Sequence, residues 1–229
     1  MDRLRAGNPI ALLQSDFLYP NTDKYSCNIG VFYYGFCFKI PAGGGGGGGG
    51  TQTYATFVMG VSSSGSLSNG DLTFSTNTGT WNSVQASQGK SSGKWVFEAV
   101  YDPVYYSGIG LVQSGATGWA NSYLGRTFGG IILIQNQGIL NGGGFTVAGS
   151  QPTTAINTPV MFAIDADAGT AQVIYGGGAT LVWTWTPGTV IYPAVSVYGP
   201  GAGRFVTMNF GATAFTNPVP TGYNAGWYE

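Results

Sequence analysis

Residues 90–102 read KSSGKWVFEAVYD. A polar turn, Ser91-Ser92-Gly93, opens the stretch, and alternation then runs unbroken. Trp95, Phe97, Ala99 and Tyr101 fall on one side, and Val96, Glu98, Val100 and Asp102 on the other. A period of two in aromatic and β-branched residues predicts a strand that buries one face. Trp95 and Phe97 are the heaviest apolar load of any short stretch in the chain. This strand is therefore expected at the centre of a sheet.

Outward from it, residues 51–229 read as strands alone. The candidates are 54–61, 70–75, 95–102, 109–113, 131–135, 160–165, 171–175, 181–185, 194–198 and 204–209. Gly, Ser, Asn and Pro punctuate them at short intervals, the rhythm of an antiparallel sandwich or barrel. No stretch holds helical spacing for three turns. Asp165, Asp167 and Gly169 invite comparison with a calcium loop, but such a loop needs Gly where Thr170 stands and Glu where Gly176 stands. They read instead as a hairpin turn between 160–165 and 171–175. The fold class is all-β.

Composition narrows the function. Charged residues make up 7% of the 229, against about 25% in an ordinary domain, and the net charge is −1. The 40 glycines, with abundant Ser, Thr and Asn, leave a neutral surface of hydroxyls and amides. Nucleic-acid binding scales with the phosphates neutralised, and no cation cluster exceeds the pair Arg3 and Arg5, so no nucleic-acid partner is expected. The chain has no histidine, which removes the commonest general base and metal ligand. No cofactor and no metal site are expected. No apolar run reaches the roughly 18–20 residues of a membrane helix, and residues 10–13 are too short for a secretory core, so no membrane insertion is expected.

The first 42 residues differ from the rest. Val31, Phe32, Tyr33, Tyr34, Phe36 and Phe38 crowd into eight positions, more apolar load than a segment this short buries alone. Docking onto a partner is expected. Cys27 and Cys37 bracket this cluster and leave open a disulfide or two buried thiols. Eight glycines follow at 43–50, a flexible tether with a span of roughly 15 Å. They are no phosphate loop, because the Gly required five residues before Gly89-Lys90-Ser91 is Val84. The organisation is an attachment segment (1–42), a hinge (43–50) and one large domain (51–229).

A succession of motifs in that domain carries a resemblance. Trp81-Asn82-Ser83-Val84 leads to Ser91-Ser92-Gly93-Lys94-Trp95-Val96-Phe97-Glu98, then Gly108-Ile109-Gly110-Leu111 and Tyr123-Leu124-Gly125. Phe162-Ala163-Ile164-Asp165, Tyr192-Pro193-Ala194-Val195-Ser196 and Val206-Thr207-Met208-Asn209-Phe210-Gly211 follow, before Phe215, Pro218 and Pro220-Thr221-Gly222-Tyr223. The set resembles the SPRY-like, concanavalin-type β-sandwich of eukaryotic SPRY proteins and tailed-phage virion proteins, over about 67–227. It departs at Tyr175-Gly176-Gly177-Gly178, where the family often has an Asn-Gly turn. Independently, Trp95 and Phe97 on one strand and Val206, Met208 and Phe210 on another offer apolar faces for two packed sheets.

The resemblance implies binding through loops at one end of the sandwich. It implies a non-enzymatic phage virion protein, assembled in the host cytoplasm and anchored by residues 1–42 to other virion proteins. Homo-oligomerisation, with a trimer favoured, is expected by the same analogy. The sandwich would then serve adhesion to cell-surface glycan, or a purely structural decoration or adaptor role on capsid or tail. For glycan, the loop residues Asp102, Tyr105, Tyr106, Trp119, Asn121 and Tyr123 supply rings to stack on sugars and polar groups to hold hydroxyls. The carboxylate pairs Glu98/Asp102 and Asp165/Asp167 are the only features that suit a glycosidase. With no histidine and no nucleophile motif, no enzyme is expected.

Overall fold

A computed structural model of the chain describes residues 52–59, 64–101, 106–135, 138–151, 157–176, 178–199 and 204–229. All fall within one unit, Gly50–Glu229. The aromatic positions Val31, Phe32, Tyr33, Tyr34, Phe36 and Phe38, the pair Cys27 and Cys37, the hinge at 43–50, and Asp102 and Tyr105 lie outside the described residues.

Among the described residues, fourteen strands form two antiparallel sheets. The eight-stranded sheet runs β2 (Ser66–Ser68), β3 (Thr73–Thr76), β14 (Arg204–Asn209), β5 (Lys94–Tyr101), β10 (Val160–Asp165), β11 (Thr170–Tyr175), β12 (Gly178–Thr184) and β9 (Thr146–Gly149). The six-stranded sheet runs β1 (Phe57–Val58), β4 (Trp81–Ala86), β13 (Ile191–Tyr198), β6 (Ser107–Gln113), β7 (Gly130–Ile134) and β8 (Gly138–Asn141). The described residues form an antiparallel β-sandwich, as the periodicity predicts. Four strands, β2, β4, β8 and β9, were not expected.

The strand at 94–101 is central, with β14 on one side and β10 on the other. Phe97, Ala99 and Tyr101 point between the sheets, with Phe162, Val173, Trp183, Val206 and Met208 from their own sheet. Val84, Ile109, Leu111, Ile131, Leu133 and Val195 face them from the other. The Tyr101 hydroxyl crosses the gap to donate to the Leu133 carbonyl at 2.9 Å. Burial pushes that phenol far above its ordinary range. The strand carrying Val206 and Met208 lies beside β5 in the same sheet, so those two strands do not supply opposite faces of the sandwich.

The expectation of a single buried face is corrected. Val96 and Glu98, on the outward side of β5, are buried too. Residues 215–223 return across that face, where Phe215, Val219 and Tyr223 cover Val96, Met161, Ala163 and Ile174. Glu98 fastens the return. Its carboxylate accepts the main-chain N–H of Thr216 at 2.9 Å and of Asn217 at 2.6 Å, and the Asn217 side-chain amide at 2.8 Å. The tail ends against the domain's first residues, with Thr53 and Glu229 exchanging both main-chain bonds at 3.0 Å.

The hairpin turn after β10 forms as its residues predict. The Asp165 carboxylate accepts the Ala168 N–H at 3.0 Å and pairs with the Lys94 ammonium at 2.8 Å. Asp167 accepts the Gly93 N–H at 3.0 Å, which ties the turn to the start of β5. The hydrogen bond from Lys94 holds the Asp165 carboxyl below its ordinary value, and the same bond raises Lys94. A carboxyl with a depressed folded value contributes stability that is present above its unfolded value and is lost as pH falls through the folded one. Asp165→Asn is therefore expected to flatten the loss of stability on acidifying below about pH 4. Urea unfolding of both proteins at a series of acidic pH values reads this. Equal slopes would mean the pair contributes nothing.

Candidate functional site

At one end of the six-stranded sheet four aromatic rings meet. Trp81 opens β4, Tyr198 closes β13, and the antiparallel register sets them side by side. Tyr106 stands just before β6, where its carbonyl accepts the Tyr198 N–H at 2.9 Å. Tyr123 reaches in from the loop between β6 and β7. The Trp81 ring centroid lies 5.5 Å from Tyr123, 5.6 Å from Tyr198 and 6.5 Å from Tyr106. Tyr106 and Tyr198 are 5.4 Å apart, edge to face. The Arg204 guanidinium, at the start of β14, lies 5.8 Å from the Tyr106 ring. Its stem passes over Gly199, where a Cβ would come within 2.2 Å of the arginine Cδ.

Tyr106 is the exposed member, at 42%, and its φ is 85°. A bulky residue in the left-handed region carries strain of about 1–3 kcal/mol, and such strain clusters at binding sites. The groups beneath the rings are tightly held. Asn82, fully buried behind Trp81, donates to the Thr78 hydroxyl at 2.8 Å and the Thr80 carbonyl at 3.1 Å, fixing the turn before β4. Ser83 and Ser196, both fully buried, share a 2.7 Å hydrogen bond. Ser83 also donates to the Ser122 carbonyl at 2.7 Å, and Ser196 accepts the Leu124 N–H at 3.0 Å. These bonds clamp the loop on either side of Tyr123. The rings are thus presented in fixed positions.

Of the loop residues expected to bind ligand, Tyr106 and Tyr123 come together here. Asn121 is exposed on the same loop. Trp119 is placed differently. It is 4% exposed, packed on the outer sheet face with Val112, Leu124, Ile132, Ile134 and Ala194, and its indole N–H donates to the Ala116 carbonyl at 3.0 Å. At this burial the Trp119 ring anchors the loop to the sheet. Trp81 and Tyr198 were missed, because only the pairing of β4 with β13 brings them together. Of the suggested carboxylates, Glu98 is engaged with the tail and Asp165 with Lys94. Among the described residues no three His, Cys, Asp or Glu side chains come together.

No protein-family model and no curated protein matches this sequence. Among solved structures, the fold is similar to the SPRY domain of human HERC1, with a TM-score of 0.52 and 15% identity over 66% of this chain and 96% of that one. It is similar also to the TRIM65 PSpry domain, with a TM-score of 0.50 and 15% identity over 69% of this chain and 90% of that one. At such identity the likeness is one of fold. The described residues form a SPRY-like β-sandwich.

Proposed function

We propose that this chain is a non-enzymatic, fibre-type virion protein of a tailed phage. Residues 1–42 fix it to other virion proteins, the glycine hinge lets the sandwich swing, and the sandwich adheres to glycan on the host surface. The observation that carries this reading is the cluster of Trp81, Tyr106, Tyr123 and Tyr198 at a loop end. Sugars stack their C–H faces on aromatic rings, and rings with a polar tip suit a wet, neutral contact. Rigid aromatics also lose little conformational freedom on binding. The sparse charge of the whole chain fits an uncharged ligand.

Tyr106→Ala is expected to weaken binding of the full chain to bacterial surface polysaccharide at least tenfold, about 1.4 kcal/mol. Its thermal midpoint should stay within a few degrees of the parent, because the ring is partly exposed. Surface plasmon resonance with immobilised polysaccharide reads the first and calorimetry the second. Undiminished binding by the variant would remove the cluster from the site.

A purely structural decoration role is favoured by one observation, that the outer faces of both sheets carry segments of the chain itself. Such a closed module suits a spacer. Deleting residues 1–42 abolishes incorporation into particles on both readings, but only on the adhesin reading does the intact chain bind cells.

A further inference from the structure

The outer face of the six-stranded sheet carries a second recess, at the end away from the four rings. Its floor is Gln85 on β4, Tyr192 on β13 and Gln113 at the end of β6, and its wall is the loop carrying Ser114, Thr117 and Trp119. It is an open recess of about 250 Å³, and every residue lining it is uncharged. Sites for drug-sized ligands run to roughly 300–1,000 Å³, so this volume suits one small ring.

The wall is fixed in place. Ser114 N–H donates to the Val190 carbonyl at 2.9 Å, the Thr127 hydroxyl to the Thr117 carbonyl at 2.7 Å, and Ser83 N–H to the Ala120 carbonyl at 3.0 Å. Buried Trp119 pins the loop between these points. On the floor, the Tyr192 ring packs over Gly89, where a Cβ would stand 2.6 Å from the tyrosine Cζ. The glycine seats the ring from one side.

The polar groups around the recess are available. Among the described residues, the Gln85 amide, the Tyr192 hydroxyl and the hydroxyls of Ser114 and Thr117 have no protein hydrogen-bond partner. Each of these groups both donates and accepts. A pre-formed recess with an aromatic side chain, mixed donors and acceptors and no charge matches a ligand that has apolar C–H faces and several hydroxyls.

We propose that this recess is a second binding site, for a single uncharged sugar ring. The ligand class rests on the glycan-adhesion reading, while the site is separate from the four-ring cluster. Two sites on one sheet face give a chain of sugars two points of attachment, and linked contacts raise avidity without new surface.

The test is ligand-observed NMR on the full chain with glucose, galactose and N-acetylglucosamine, and with glucuronic acid as a charged control. At least one neutral sugar should bind saturably in the millimolar range. Tyr192→Ala should weaken it tenfold or more. Thr117→Asp, at an exposed position on the rim, should do the same without touching the core, which guards against misfolding of the first variant. In Tyr106→Ala a saturable signal should remain, and adding Tyr192→Ala to that variant should remove it. The proposal is overturned if no neutral sugar binds, if both recess variants bind as the parent does, or if Tyr106→Ala alone abolishes the signal. Binding in the recess by a chain that ignores surface polysaccharide would instead retain this site and overturn the adhesion reading.

Discussion

Phe97→Ala is expected to lower the unfolding free energy by about 3–5 kcal/mol. Phe97 is fully buried on the central strand and stacks on Phe162, with centroids 5.0 Å apart and planes 4° from parallel. The Trp227 ring meets it edge-on at 5.9 Å, and Phe210 lies 6.3 Å away. The truncation therefore removes contacts with a neighbouring strand and with two rings of the returning tail. Backbone ladders on both sides of β5 prevent the cavity from closing. In urea, the midpoint should fall while the slope stays constant, the signature of lost stability with an unchanged extent of unfolding. A loss below about 1 kcal/mol would mean that the site repacks and that β5 is not the centre of the core.

Glu98→Ala is expected to cost a comparable amount, about 3–5 kcal/mol, by a different route. Glu98 is 3% exposed and accepts three N–H bonds, two of them from the main chain of the tail. A buried donor left without its acceptor costs about 1–3 kcal/mol. Water can re-enter if the tail lifts, which lowers the local cost but exposes Val96, Met161, Ala163 and Ile174. Hydrogen exchange distinguishes this from a general loss of stability: the Thr216 and Asn217 amides should lose protection ahead of β10 and β11. Glu98→Gln keeps the shape but turns an amide towards donors, and should fall between the two. Uniform loss of protection across the sheet would place Glu98 in the general core and not at a latch.

The same stretch shows how far sequence reading reaches. Alternation across 94–101 was enough to place a strand, its inward residues and its central position, because one face meets the other sheet in a regular pattern. Burial of Val96 and Glu98 was not legible. The covering segment at 215–223 has no periodicity, and a carboxylate facing neutral N–H groups looks like a solvated charge. Trp81-Asn82-Ser83-Val84 stands in the sequence as a motif and not as a strand, since Asn82 is a poor strand former when judged alone. In the fold Asn82 and Ser83 are buried and bonded to neighbouring loops. The strands Gly138–Asn141 and Thr146–Gly149 are short, glycine-bounded and at sheet ends, where side-chain pattern carries little information.

The site was half legible for the same reason. Tyr106 and Tyr123 sit in turn-rich segments that advertise loops, so their aromatic character stood out. Trp81 and Tyr198 terminate strands that are remote in sequence, and only their register joins them. Trp119 shared the loop signal of Tyr123, yet the apolar outer face of β6 and β7 captured it. Loop aromatics announce themselves in sequence, but which of them faces outward depends on the sheet beneath.

The most direct test of the account is binding of the fluorescently labelled full chain to bacterial cells, with purified surface polysaccharide as competitor. Saturable binding is expected that the polysaccharide displaces and that Tyr106→Ala weakens at least tenfold while its unfolding curve stays in place. Absence of binding to cells, or binding that neither the polysaccharide nor the substitution diminishes, would contradict it.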